Sequence, residues 1–299
     1  MRKVSGIFLV GLCVGAICAI VVTASHPAAV DSPRPIASTG TVTTTSTAAT
    51  PTPSAARATP SASSTPGPAP KPQAVDLAAL ERLVPGGEVS AVLFDRTTGR
   101  TVVSAHPDRT YTSASLVKLF IALEVLSRGG PADDVQRMLS RSDDDLASRF
   151  WSGYGGPRIV SRWATTMGLR ATKPPADPGR WGDTEITASD MVRVYRYLTE
   201  QAAASSRTTI LDALEDATER GSDGFRQYFG IPDGAGGHKW AVKQGWSCCR
   251  PTRMLHSTGL VDDRYIVVVL TENPRAVSDA AGSKAATEVV KKLLTQVGP

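Results

Sequence analysis

The chain has 299 residues, 41% apolar and 20% charged, with 33 Lys and Arg against 28 Asp and Glu for a net charge of +5. The basic residues are scattered rather than striped along one segment, which argues against nucleic-acid binding. His106, His238 and His256 are isolated and no metal-ligand spacing such as H-E-x-x-H occurs, so neither a metal nor a cofactor is expected; no G-x-S-x-G nucleophile elbow occurs either.

Met1-Arg2-Lys3 followed by the uncharged apolar run Ile7–Val22 and the small-residue site Val22-Thr23-Ala24 reads as an export leader over residues 1–24. The run is long for a signal-peptide core and short for a spanning helix, so the alternative to cleavage is membrane attachment through residues 4–22. Leu12 and Ile17 precede Cys13 and Cys18 where a lipoprotein anchor wants a small residue, which disfavours lipidation at either. Residues 25–74 are Pro, Ala, Ser and Thr with almost no large apolar side chains. Such a segment buries too little surface to fold and serves as an extended spacer. Residues 75–299 form one domain's worth of chain.

Within that domain Asp76–Leu83 reads as a short amphipathic helix, Glu88–Asp95 as a strand, Arg96–Gly99 as a turn and Arg100–Ala105 as the partner strand. Thr110–Arg128 runs from a polar approach into a helix that is apolar nearly all round and should be buried. Further helices are predicted at Asp133–Leu139, Asp143–Trp151, Pro157–Met167, Ser189–Glu200 and Thr208–Arg220. Strands follow at His238–Trp246, Arg253–Leu260 and Tyr265–Glu272, with Asp262-Asp263 turning the last hairpin, and Ser278–Val297 closes the chain as a helix. Strands from both ends of the chain with helices between them imply an α/β (α+β) fold, an antiparallel sheet covered by helices plus an all-helical subdomain. Cys248-Cys249 are free, paired with each other, or bonded to another chain.

The chemistry concentrates on Ser115 and Lys118. Three residues apart on a helix, they share a face, and an amine held close to a hydroxyl can take its proton. A serine at a helix start also lies near free backbone N–H groups that suit a developing oxyanion. Two further segments follow in order: Ser142-Asp143-Asp144 opening a helix, where Ser142 also suits an N-cap, and Lys243-Gln244-Gly245 in a strand.

Together these pieces resemble the S-x-x-K, S-D-N and K-T-G motifs of the serine β-lactamase and penicillin-binding-protein superfamily, class A-like in order. The resemblance implies a β-lactamase/transpeptidase-like fold, with Ser115 as acylated nucleophile, Lys118 as its base and Ser142 as proton relay to the leaving group. It makes Lys243 a charge for a substrate carboxylate, and places an oxyanion hole at the N–H groups of Ser115 and Trp246. Asp144, Gln244, Gly245 and Trp246 fall where substrate is held. Asp144 replaces an Asn, so a donor becomes a group that only accepts when ionised, and Gln244 replaces a Thr hydroxyl with an amide. Gly179-Arg180-Trp181-Gly182 resembles the start of the Ω loop, with Gly182 where the deacylating Glu would stand. The function implied is an exported cell-envelope serine hydrolase or acyl-transferase acting on peptidoglycan-type peptides or β-lactams with slow deacylation. The alternatives are a catalytically degenerate module that binds envelope peptides or a protein, and an esterase. Nothing in the residues sets the oligomeric state.

Overall fold

The structure, a computed structural model, describes residues 76–248 and 251–297. The leader, the spacer and Cys249 lie outside the described residues.

Five strands make one antiparallel sheet: β1 (Glu88–Asp95), β2 (Arg100–Ala105), β5 (Trp240–Cys248), β6 (Arg253–Val261) and β7 (Tyr265–Asn273), in the order β2-β1-β7-β6-β5. The central strand β7 reads YIVVVLTEN, a nearly unbroken apolar run, because both its faces are covered. Alternation sorts its side chains: Val267 and Val269 join one core with Ala91 and Leu93 of β1, whereas Ile266, Val268 and Leu270 join the other with Val92 and Phe94. The first core is closed by α1 (Leu77–Glu81) and by the terminal helix α9 (Asp279–Leu294), through Leu80, Val289, Val290 and Leu293. The β6–β7 hairpin turns on Asp262 and Asp263, both at positive φ (51° and 55°) as a type I′ turn requires, closed by Arg264 N–H donating to Val261 O at 3.1 Å.

The second core belongs to the helical part. The helix predicted from Thr110 is three elements: a two-residue strand β3 (Tyr111–Thr112), a 3-10 turn (Ala114–Val117) and α2 (Lys118–Ser127). Every residue of α2 from Lys118 to Val125 is buried, as its all-round apolar pattern required. Around it stand α3 (Ala132–Ser140), α4 (Asp144–Tyr154), α5 (Pro157–Met167) and α7 (Ala204–Glu215), while α6 (Ala188–Glu200) lies on the sheet against β7 and β1. The helix predicted at Thr208–Arg220 starts and ends earlier as α7, since Thr218 is drawn into bonds with Ser140 O and Arg220 O. Glu124, a carboxylate inside this helical layer, accepts from the Trp163 indole at 3.0 Å and from Arg162 at 3.1 Å, which answers for its burial.

Two small pieces escaped the sequence pattern. β3 pairs with β4 (Glu185–Ile186), Tyr111 opposite Ile186 and Thr112 opposite Glu185, and a 3-10 turn at Trp181–Asp183 precedes β4. A four-residue helix α8 (Ile231–Gly234) packs on α9.

Candidate active site

Ser115 sits inside the 3-10 turn rather than in the first turn of an α-helix, and Lys118 is the first residue of α2. The spacing still serves: Lys118 Nζ lies 2.9 Å from Ser115 Oγ. Ala114, directly before Ser115, holds φ at +47° without being glycine, and Ser142 holds +51°. Such residues cost about 1–3 kcal/mol each and persist only where surrounding structure enforces them. The enforcement at Ala114 is visible. Ser113 N–H donates to Thr184 O at 2.7 Å and its hydroxyl to Ala114 O at 3.1 Å, while β3–β4 pairing ties the Trp181–Asp183 turn to the same spot.

Ser142 does not cap α4. Asp143 does, accepting from Leu146 N–H at 2.9 Å, and this leaves the Ser142 side chain free to turn inward. There Ser142 Oγ lies 3.0 Å from Lys118 Nζ and 3.0 Å from Lys243 Nζ, so the three motifs meet on one hydroxyl. Lys118 Nζ also reaches Ser142 O at 2.8 Å and bonds the Asp144 carboxylate, whose side chain is 64% exposed. The Asp that replaces the motif's Asn therefore pairs with Lys118, the lysine beside Ser115.

Lys243 is fully buried on the edge strand β5 and makes its other bond to Gln244 O at 3.0 Å. Burial and the neighbouring Lys118 charge both drive its pKa well below the ordinary lysine range. Burial also lowers that of Lys118, but there the Asp144 carboxylate opposes it. Trp rings cover both amines: Trp181 lies 5.0 Å from Lys118 Nζ and Trp246 5.7 Å from Lys243 Nζ.

The strand approaches the turn that carries Ser115 closely enough to favour glycine. A Cβ at Gly245 would stand 3.0 Å from Ser113 O and 3.1 Å from Leu116 Cγ. Gln244 does not do what the sequence led us to expect. Its amide donates to Gln227 O at 3.0 Å and to Phe229 O, and the buried side chain is spent on these carbonyls instead of standing ready for a substrate carboxylate. Trp246 is half-buried, stacks on Phe225 at 4.8 Å and donates its indole N–H to Asp223 at 2.8 Å.

Ser115 opens into a cavity of about 490 Å³ whose lining also includes Asp144, Trp181, Gly182, Asp223 and Trp246. Cys248 also lines it and is disulfide-bonded, which removes the free-thiol alternative for that residue. Gly182 stands directly over the turn, its Cβ position 3.7 Å from Ala114 Cα. Asp183 is ion-paired with Arg180, and Glu185 with Lys173 at 3.2 Å. Among the described residues no cluster of three or more His, Cys, Asp or Glu could hold a metal ion.

Trp181 and Asp223 belong to the site but carried no motif. Trp181 was adjacent to the glycine that drew attention. Asp223 lies in the Gly-Ser-Asp-Gly turn, brought over by long-range bonds such as Ser222 N–H to Arg141 O at 2.8 Å and Gln227 to Ser140 O at 2.8 Å. No local signal predicts those.

A model described as the beta-lactamase enzyme family matches residues 131–297, a stretch that takes in Ser142, Asp144 and Lys243. The chain is 37% identical over 236 residues to a protein of Mycobacterium tuberculosis (strain ATCC 25618 / H37Rv) named "Putative lipoprotein LppW", covering 74% of this chain and 73% of that one. Among solved structures it is similar to a class A beta-lactamase from Bacteroides cellulosilyticus (TM-score 0.63, 12% identity, 74% of this chain and 96% of that chain). It is similar also to a beta-lactamase from Chitinophaga pinensis (TM-score 0.62, 12% identity, 74% and 98%). At such identities the two structures speak to fold alone.

Proposed function

The chain belongs to the beta-lactamase enzyme family, and on that footing we propose that it is an exported cell-envelope serine hydrolase or acyl-transferase that forms an acyl-serine at Ser115. Its substrates are peptidoglycan-type peptides or β-lactams, and it deacylates slowly. The observation that carries this is the 2.9 Å approach of Lys118 Nζ to Ser115 Oγ on the wall of an open cavity. A hydroxyl so placed loses its proton into the amine chain as it attacks a carbonyl carbon, and Ser142 hands a proton to the leaving group. The backbone N–H groups of Ser115 and Trp246 receive the oxyanion. Gly182 supplies no base where an Ω-loop Glu activates water in class A enzymes, and Asp183 and Glu185 are held in ion pairs, so the acyl-enzyme persists.

Export rests on the residue 1–24 leader and agrees with the name of the mycobacterial relative. A second reading, a cleft that binds envelope peptides without acylation, has one observation in its favour: the Lys118–Asp144 pair holds the proposed base as a cation.

Intact-mass measurement after exposure to a β-lactam and to a fluorophosphonate decides between them. A single adduct is expected, lost in Ser115→Ala and in Lys118→Ala. Labelling at full rate in Ser115→Ala overturns the nucleophile, and no adduct in the natural protein leaves the binding reading.

A further inference from the structure

From the hydrogen-bond geometry we infer that the two active-site lysines divide their roles: Lys118 rests as an ammonium held by Asp144, and Lys243, resting as a neutral amine, is the group that finally takes up the proton released from Ser115, relayed through Lys118 and Ser142. This deepens the acyl-serine reading and rests on it.

The argument is one of donors and acceptors. Lys118 Nζ is surrounded by four oxygens, Ser115 Oγ, Ser142 O, Ser142 Oγ and an Asp144 carboxylate oxygen. A shell of that kind suits three N–H donors and leaves no room for a lone pair. Ser142 Oγ is buried, and its only partners among the described residues are the two amines. Its own hydroxyl proton therefore needs a lone pair on one of them, or else it is a buried donor left unmade. The ammonium of Lys118 has none to give. Lys243 as an amine meets every requirement: it accepts from Ser142 Oγ and donates to Gln244 O. Charge agrees with geometry. Lys118 has a carboxylate partner, whereas Lys243, equally buried, has no carboxylate within ion-pairing distance among the described residues, and an unpaired buried cation is strongly disfavoured.

The charged groups facing this pair come from every side of the cleft: Lys118 from α2, Asp143 and Asp144 from the start of α4, and Asp223 from the Gly221–Gly224 turn. The Trp246 ring comes from β5 itself. Only Asp144 touches either amine.

The step balances as a relay. The Ser142 hydroxyl proton moves to Lys243 Nζ, Lys118 gives one of its own to Ser142 Oγ, and the lone pair so freed on Lys118 Nζ takes the Ser115 proton as Ser115 Oγ bonds the acyl carbon. Lys118 ends as an ammonium, Ser142 as a hydroxyl and Lys243 as a second ammonium, one proton having left Ser115. The leaving group draws a proton back from Ser142, which Lys243 refills.

Two measurements on the full chain test the inference. The first is titration of lysine side-chain nitrogens by NMR after nitrogen-15 labelling, with Lys243 assigned from its loss in Lys243→Arg. Lys243 should appear as an amine and Lys118 as an ammonium at neutral pH; the reverse assignment overturns the proposal, and this readout stands even if no probe acylates the protein. The second is a mutant cycle on fluorophosphonate labelling, whose fluoride leaving group needs no proton. Lys243→Met should slow labelling by about 100-fold or more in the natural background, the loss typical of a proton acceptor. In an Asp144→Asn background, where Lys118 is free to lose its proton, the same change should cost about tenfold or less. Equal losses in the two backgrounds would refute the division of roles. If Lys243→Met does not fold, Lys243→Arg, which keeps the volume and cannot act as a base, takes its place.

Discussion

Replacing Gly182 by glutamate should turn a persistent acyl-enzyme into one that turns over. Space is available: a Cβ at 182 would meet Ala114 Cα at 3.7 Å, Ala114 O at 3.8 Å and Ala114 C at 4.0 Å, all ordinary van der Waals contacts, and Gly182 is not among the positive-φ residues. Ser115 Cα is about 3.8 Å further along the chain from Ala114 Cα, so a glutamate at 182 starts within a side chain's length of Ser115. A positioned general base contributes about 10²–10⁴-fold, or about 2.7–5.4 kcal/mol of barrier. The assay is to acylate with a β-lactam or an activated ester, remove the excess, and follow decay of the adduct mass. Gly182→Gln, of matching size but unable to take a proton, should decay as slowly as the natural protein. Should Gly182→Glu acylate normally and yet deacylate no faster than Gly182→Gln, the placement of the deacylation site over Gly182 is wrong.

Two further outcomes concern the frame of the site. His256 is buried beneath Gly245, bonded to Thr112 O, and burial pushes its pKa down to about 4. Between about pH 6.5 and pH 4 the unfolded chain therefore binds a proton the folded chain refuses, so stability falls as pH drops through that window, by about 3 kcal/mol, and is unaffected by this group above it. His256→Gln should remove that share of the slope in urea unfolding compared at about pH 7 and about pH 4.5; an unchanged slope would clear His256. Gly245→Ala inserts a methyl 3.0 Å from Ser113 O, and should cost about 1–3 kcal/mol and slow Ser115 labelling more than it lowers Tm. Normal labelling with normal stability would show that β5 can retreat from the turn.

What was legible in the sequence is what local pattern controls. The apolar run Leu119–Val125 announced a buried helix, Asp262-Asp263 a hairpin, and Pro157 behind two glycines a helix start that falls at Pro157. Ser115, Lys118, Ser142 and Lys243 were legible because motif spacing survives in the chain, and the fold brings all four side chains together. Side-chain direction was not legible. Whether Asp144 faces the cleft or the solvent depends on which residue caps α4, and that is settled by Asp143 bonding Leu146. Gln244 was expected to face substrate because it stands at the Thr position of the K-T-G motif, yet its amide found Gln227 O and Phe229 O, both from a segment remote in sequence.

The same physics bears on whether the cleft does chemistry or merely binds. Two buried lysines, one paired and one not, are a destabilising choice, since replacing buried ionic groups by apolar side chains of similar volume is often neutral or stabilising. Strain points the same way: Ala114 and Ser142, both at positive φ, stand directly beside the nucleophile and at the hydroxyl shared by the amines. Asp262 and Asp263, by contrast, occupy a hairpin where such angles are demanded by the turn. A binding surface is served by shape and exposed polar groups. Here the two amines lie beneath tryptophan rings and outside the cavity lining, which Ser115 and Asp144 reach, an arrangement that suits proton movement beneath the surface better than direct contact between amine and ligand.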